Sequence, residues 1–190
     1  RLDTALSLDS GLSELRVDAG DAIQGGQDFE VMEYRRILDA FQHMQFQALN
    51  IGAREAQLPA QTLQSLLKES NAPLISANLL DATTGEPIAQ PFIRTKLDGH
   101  SVIITGVLDP SSIDPNLLGD GLTLKQPDLV LRELLPQLRN ECDLLVLLAF
   151  ADENHLRTLA EQFHEADFIL GGDVSQPSGN TRLINQSHVF

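Results

Sequence analysis

Four stretches of this sequence end an apolar run in small residues and then place acids, and any chemistry would be expected there. They are "DAGD" at 18–21, "NIGARE" at 50–55, "LLAFADE" at 147–153 and "ILGGDVS" at 169–175. Ligands of α/β proteins collect beyond the carboxyl ends of strands. If these exits converge, Asp21, Glu55, Asp152 and Asp173 offer an all-oxygen shell of the kind hard cations such as magnesium or calcium accept. Two neighbours oppose that reading. Arg54 carries a permanent positive charge into the same place, and Phe150 adds bulk without a donor atom. An aspartate after glycine at a strand end, as Asp21 is, also has a simpler use, capping a following helix or pairing with Arg54.

Other chemistries fare worse. No Gly-x-Ser-x-Gly elbow occurs, and "GDAIQGG" lacks the lysine of a phosphate loop. Cys142 is the single cysteine, so an intrachain disulfide or a thiolate cluster is excluded; heading an apolar run, it reads as an inert buried thiol. Of the histidines, His43 falls on a helix, His100 in a hairpin turn, and His155 and His164 on or near a later helix. His188 sits in the last strand-like run, and only His155 comes near an exit.

The elements that would position these residues alternate along the chain. "LRVDAGD" reads as a short strand, and "DFEVMEYRRILDAFQHM" as a helix with Tyr34, Ile37, Leu38, Phe41 and Met44 on one face. "FQALNIG" is a strand, "LPAQTLQSLLKES" a helix with Leu63, Leu66 and Leu67 inward, and "APLISANL" a buried strand. Two β-rich runs joined by "LDGH" predict a hairpin with Asp98 and Gly99 in its turn. "SSIDPNLLGDGLTLKQ" lacks periodicity and reads as a surface excursion. Pro127 suits the first turn of the helix "PDLVLRELLPQLRNE", which Pro136 is expected to kink or end early. "CDLLVLLAF" is apolar enough to be buried on both faces. A helix with Leu156, Leu159, Ala160 and Phe163 follows, then the strand "ADFILGG" and one or two more in "TRLINQSHVF". The alternation marks an α/β fold.

A chain of 190 residues, 42% hydrophobic, can bury a sizeable core. No repeat or linker divides it, so residues 1–190 are expected to form one domain, trimmed at one or both ends. The formal charge of −14 opposes binding to nucleic-acid phosphates. No run is long and apolar enough for a membrane helix, and the first residues do not read as a signal peptide.

The ordered set "VDAGDAIQGG", "MQFQALNIGAREAQL", "APLISANLLDATTGEPIAQPFIRTKLDGHSVIITGVLDP", "CDLLVLLAF" and "ADFILGGDVSQP" resembles the metallophosphoesterase domain of the 5'-nucleotidase family. The resemblance runs from about Leu15 to the end. It implies a calcineurin-like fold, a four-layer α/β/β/α sandwich with two mixed β-sheets. It also implies two divalent metals at the strand ends, which generate a hydroxide and neutralise a phosphate ester. The family's ligands come from an Asp-x-His, a Gly-Asp, a Gly-Asn-His-Glu, a lone His and a Gly-His-x-His. Asp21 stands at the Gly-Asp position and is the one retained metal ligand. Gly-Asn-His-Glu becomes Gly52, Ala53, Arg54 and Glu55; the lone His becomes Phe150; Gly-His-x-His becomes Gly172, Asp173, Val174 and Ser175. No Asp-x-His is visible. The expectation is a domain without a working binuclear centre or catalytic residues, acting as a scaffold or binding module with no cofactor. The alternative is a phosphohydrolase with a rearranged site holding manganese, zinc, magnesium or iron. By the same resemblance the setting is periplasmic or extracellular, with an additional domain or an unknown protein as partner.

Overall fold

A computed structural model describes residues 14–174, 182–184 and 187–189. Three parallel strands form one sheet in the order β1 (Val17–Asp18), β2 (Ala48–Asn50), β3 (Leu74–Ile75). A six-stranded mixed sheet runs β10 (Arg182–Ile184), β11 (Ser187–Val189), β9 (Phe168–Gly171), β8 (Leu144–Phe150), β6 (His100–Leu108), β5 (Phe92–Leu97). Its inner strands β6, β8 and β9 are parallel, and β5 returns antiparallel beside β6. A ribbon of β4 (Leu79–Asp81) and β7 (Leu122–Leu124) stands apart, antiparallel.

The alternation of side chains along β8 makes the layers. Leu144, Val146 and Leu148 face the three-stranded sheet and pack with Ala48, Ile75, Val102 and Ile104. Leu145, Leu147 and Ala149 face outward and pack under two helices, α3 (Pro127–Arg139) and α4 (Glu153–Gln162), through Leu131, Leu135, Leu138, Leu156 and Leu159. With both faces buried, the strand has no polar position, as its sequence predicts. On the far side, α1 (Asp28–His43) and α2 (Ala60–Ser70) cover β1–β3 with Tyr34, Leu38, Leu63 and Leu66. The result is helix, sheet, sheet, helix, as expected.

Local signals set the ends. The Asp98–Gly99 turn has positive φ at both residues, 50° and 86°, the twist a two-residue hairpin requires. α2 stops at Asn71 in the left-handed region. The helix α3 departs from expectation, because it runs three residues past Pro136. Pro136 and Arg132, whose carbonyl loses its donor, are both exposed, and water can satisfy that carbonyl. The excursion at 110–126 also differs. It contains 3-10 turns at Pro110–Ser112 and Pro115–Leu117, capped by Asp109 and Asp114, and then β7, which pairs with β4. The segment "APLISANL" divides into β3 and β4, belonging to different sheets.

Candidate functional site at the strand exits

Register fixes what meets at the exits. β6 and β8 align Leu108 with Phe150, while β8 and β9 align Ala149 with Gly171. Phe150 therefore leaves the sheet between the β6 exit and Gly172. Its side chain does not follow its neighbours into the cores flanking the six-stranded sheet; it joins the cluster beneath α1 and α2. The ring fills the gap between two glycine loops. A Cβ on Gly172 would stand 2.5 Å from its Cδ2, and one on Gly20 3.0 Å. Phe150 is 4% exposed, so the position where the resemblance places an imidazole is closed with hydrocarbon.

The β1 and β2 exits are interlocked at the backbone. A Cβ on Gly20 would lie 2.7 Å from Gly52 Cα, and one on Gly52 2.5 Å from Asp21 N, so neither glycine can take a side chain without parting the loops. Gly20 adopts φ 122°, and Asp21 φ 66°, a left-handed conformation that aspartate tolerates better than most residues. The loops also exchange carboxylates. Glu55 Oε2 accepts from Asp21 N (2.9 Å) and Gly52 N (3.0 Å), and Oε1 from Ile23 N (3.0 Å). In return, Asp21 Oδ1 accepts from Arg54 N at 2.7 Å, and Oδ2 lies 3.5 Å from Arg54 Nε. The pairing of Asp21 with Arg54 foreseen from the sequence is thus present.

Electrostatics at this corner are costly. Burial pushes Glu55 up to about 7 against its backbone donors, and the Asp21 charge adds to the rise. Burial also raises Asp21, partly offset by Arg54, with Asp173 acting upward. Asp18 rises through burial too, opposed by Gly20 N and increased by Asp21. Tyr34 is held far above its usual range by burial and by Glu55.

The four expected acids do not converge. Asp152 turns away to cap α4, its Oδ1 accepting from Asn154 N (2.9 Å) and His155 N (2.8 Å). His155 follows it, with Nδ1 3.2 Å from Asp152 Oδ1 and 3.7 Å from Asp109 Oδ2. Asp173 is exposed and reaches Asp21 only through its charge. Ala53 is buried and offers no side-chain donor, and Ser175 lies outside the described residues. Glu55, foreseen as a possible metal oxygen, is instead a fully buried bracket with both oxygens occupied. Among the described residues no group of three or more His, Cys, Asp or Glu side chains is placed to hold a metal ion. The donors described here do not fit a pair of metals.

Sequence reasoning passed over two buried amides. Asn50 Nδ2 donates to Ala19 O and Val107 O, both at 3.0 Å, tying the three-stranded sheet to β6. Its Oδ1 is buried with no partner among the described residues. Asn78 grips Leu108 from both sides, Nδ2 donating to its carbonyl (2.7 Å) and Oδ1 accepting from its N–H (2.9 Å), and also reaches Lys125 O (2.8 Å). Polar residues inside otherwise apolar runs were the available signal, since a buried amide demands partners.

No family model matches the chain. A curated 5'-nucleotidase from Vibrio parahaemolyticus is 21% identical over 184 residues, covering 88% of this chain and 33% of its own length. This chain thus spans about a third of that relative. Among solved structures, the 5'-nucleotidase precursor from Thermus thermophilus superposes with a TM-score of 0.76 at 19% identity, covering all of this chain and 41% of that one. The sulfate thiohydrolase SoxB of Thermus thermophilus gives 0.78 at 18% identity over 92% of this chain and 33% of its own. The calcineurin-like phosphoesterase YfkN of Bacillus subtilis gives 0.72 at 20% identity, covering 92% and 66%. The fold is the metallophosphoesterase fold, and the resemblance to the 5'-nucleotidase family stands.

Proposed function

We propose that this 5'-nucleotidase-like metallophosphoesterase domain no longer holds a binuclear metal centre and serves as a scaffold or binding module rather than a hydrolase. What carries the reading is the Phe150 ring packed against the Gly20 and Gly172 loops, in the part of the fold where a metal and its water would need space and lone pairs. Arg54 on Asp21 supports it, because a fixed guanidinium repels the ion that Asp21 would otherwise bridge. A fold can lose its chemistry without rearranging its core, and both sheets here retain their packing. The relatives are longer proteins, so the module is proposed to work beside a further domain or a protein partner. Export to the periplasm or cell exterior is proposed on the same resemblance.

The competing reading, a phosphohydrolase with a rearranged site, draws on the charge coupling of Asp21 with Asp173. One assay decides. Hydrolysis of an aryl phosphate and of AMP is measured with manganese, magnesium, zinc or cobalt added, and no turnover above buffer is expected. Turnover that rises with metal and disappears in Asp21→Ala overturns the non-catalytic reading.

A further inference from the structure

We propose that the outer face of α1 is a self-association surface, on which a second copy of this chain packs its own α1 antiparallel about Met32. This goes beyond the non-catalytic reading and stands whatever the strand exits do. α1 turns Tyr34 and Leu38 into the core, and the helical period puts Phe29, Met32 and Arg36 on the opposite side. All three are exposed, Phe29 by 57% and Met32 by 61%. A single apolar residue on a surface needs no explanation, but two large ones a turn apart make a patch. Phenylalanine, methionine and arginine are also types enriched where proteins meet. Charge complementarity selects a second copy as the occupant. The first turns of α1 hold Asp28, Glu30 and Glu33, and its middle holds Arg35 and Arg36, so two copies placed antiparallel set the acidic turn of each beside the arginines of the other. Asp28 lies four residues before Met32 and Arg36 four after it. A two-fold axis at Met32 therefore brings each Arg36 level with Asp28 of the other copy and beside its Phe29 ring, an ion pair with a cation–π contact. Arg35 is held by Glu69 at 2.8 Å, and the capping box of α1 uses Gln27 and Glu30, so Arg36 and Asp28 are the charges that flank this patch.

Sedimentation equilibrium of the whole chain tests this. The mass is expected to rise with concentration from that of one chain toward that of two. Met32→Glu places a charge on the axis and is expected to weaken association at least about tenfold, the effect of losing an interface anchor. Thermal unfolding at low concentration should not change, because the side chain is exposed. Arg36→Asp and Asp28→Arg each set like charges against one another across the axis and are expected to weaken association about tenfold. An equal mixture of those two variants restores complementary pairs and should associate at least as tightly as wild type. The proposal is overturned if wild type keeps the mass of one chain at millimolar concentration, if Met32→Glu associates like wild type, or if the mixture associates no more tightly than either variant alone. The assay uses neither metal nor substrate, so hydrolysis at the strand exits would defeat the non-catalytic reading and leave this one standing.

Discussion

The two ends of the parallel strands use charge in opposite ways. Where the six-stranded sheet begins, ion pairs and hydroxyls buckle elements together near solvent. Arg139 bonds Asp167 Oδ2 (2.6 Å) and the carbonyls of Cys142 (2.8 Å) and Asp143 (2.7 Å), while Asp167 also accepts from Leu145 N at 2.7 Å. Ser101 gives both its N–H (2.7 Å) and its hydroxyl (2.8 Å) to Asp143, whose carboxyl is held below its usual value by those donors. At the exits the carboxyls of Asp18, Asp21 and Glu55 are pushed up instead, because burial outweighs their partners. Strongly perturbed acids in a cleft are a mark of functional sites, although structural networks produce them too. Here the start of the six-stranded sheet carries an acid favoured in its charged form, while the exits of the three-stranded sheet hold acids at an electrostatic disadvantage.

The largest test of that contrast is Phe150→Ala. The ring is nearly fully buried and bridges the two glycine loops, so truncation is expected to cost about 3–5 kcal/mol by leaving a cavity at the exits. Urea unfolding measures it. A loss below about 1 kcal/mol would mean that the loops collapse around the gap, and that the ring is a filler rather than a wedge.

Glu55 gives the next effect, in pH rather than in bulk. Its folded value of about 7 lies above the usual glutamate value of 4.5, so the folded state keeps a proton that the unfolded state releases. The stability it contributes is fully present below about 4.5 and is lost as pH rises to about 7, a decline on the order of 2–3 kcal/mol. Glu55→Gln is neutral throughout and should flatten that slope in urea midpoints taken across the range. An unchanged slope would assign the pH response elsewhere.

How much of this could be read in the sequence depends on what set each feature. The layers were legible because β8 is a continuous apolar run and α1 keeps a 3.6-residue apolar face; periodicity alone determines both. The ribbon of β4 and β7 was not, since three-residue strands carry no period and their pairing joins positions 79–81 to 122–124. Asp21 with Arg54 could be anticipated from matching strand-end positions. Asp152 looked equivalent to Asp21 in sequence, but two N–H groups of α4 lay within its reach and a local cap needs no long-range partner. Glu55 misled for the reverse reason: its donors come from Asp21, Ile23 and Gly52, a convergence that only the folded loops create.

The smallest expected effect lies at the strand beginnings, and it sharpens the contrast by its sign. Asp143 is exposed, and its carboxyl is lowered first by the Ser101 N–H and then by the hydroxyl. Its contribution is therefore present above the usual aspartate value of 3.8 and is lost as pH falls through the lowered one. Asp143→Asn keeps an acceptor for both Ser101 donors and removes the titration, so the acid limb of the stability profile should become shallower while the decline between about 4.5 and about 7 due to Glu55 is untouched. In the double variant with Glu55→Gln the two changes should add, because the groups share no partner and act at opposite strand ends. If Asp143→Asn altered the slope near neutrality, the start of the six-stranded sheet and the exits of the three-stranded sheet would be electrostatically coupled and the division between them would fail.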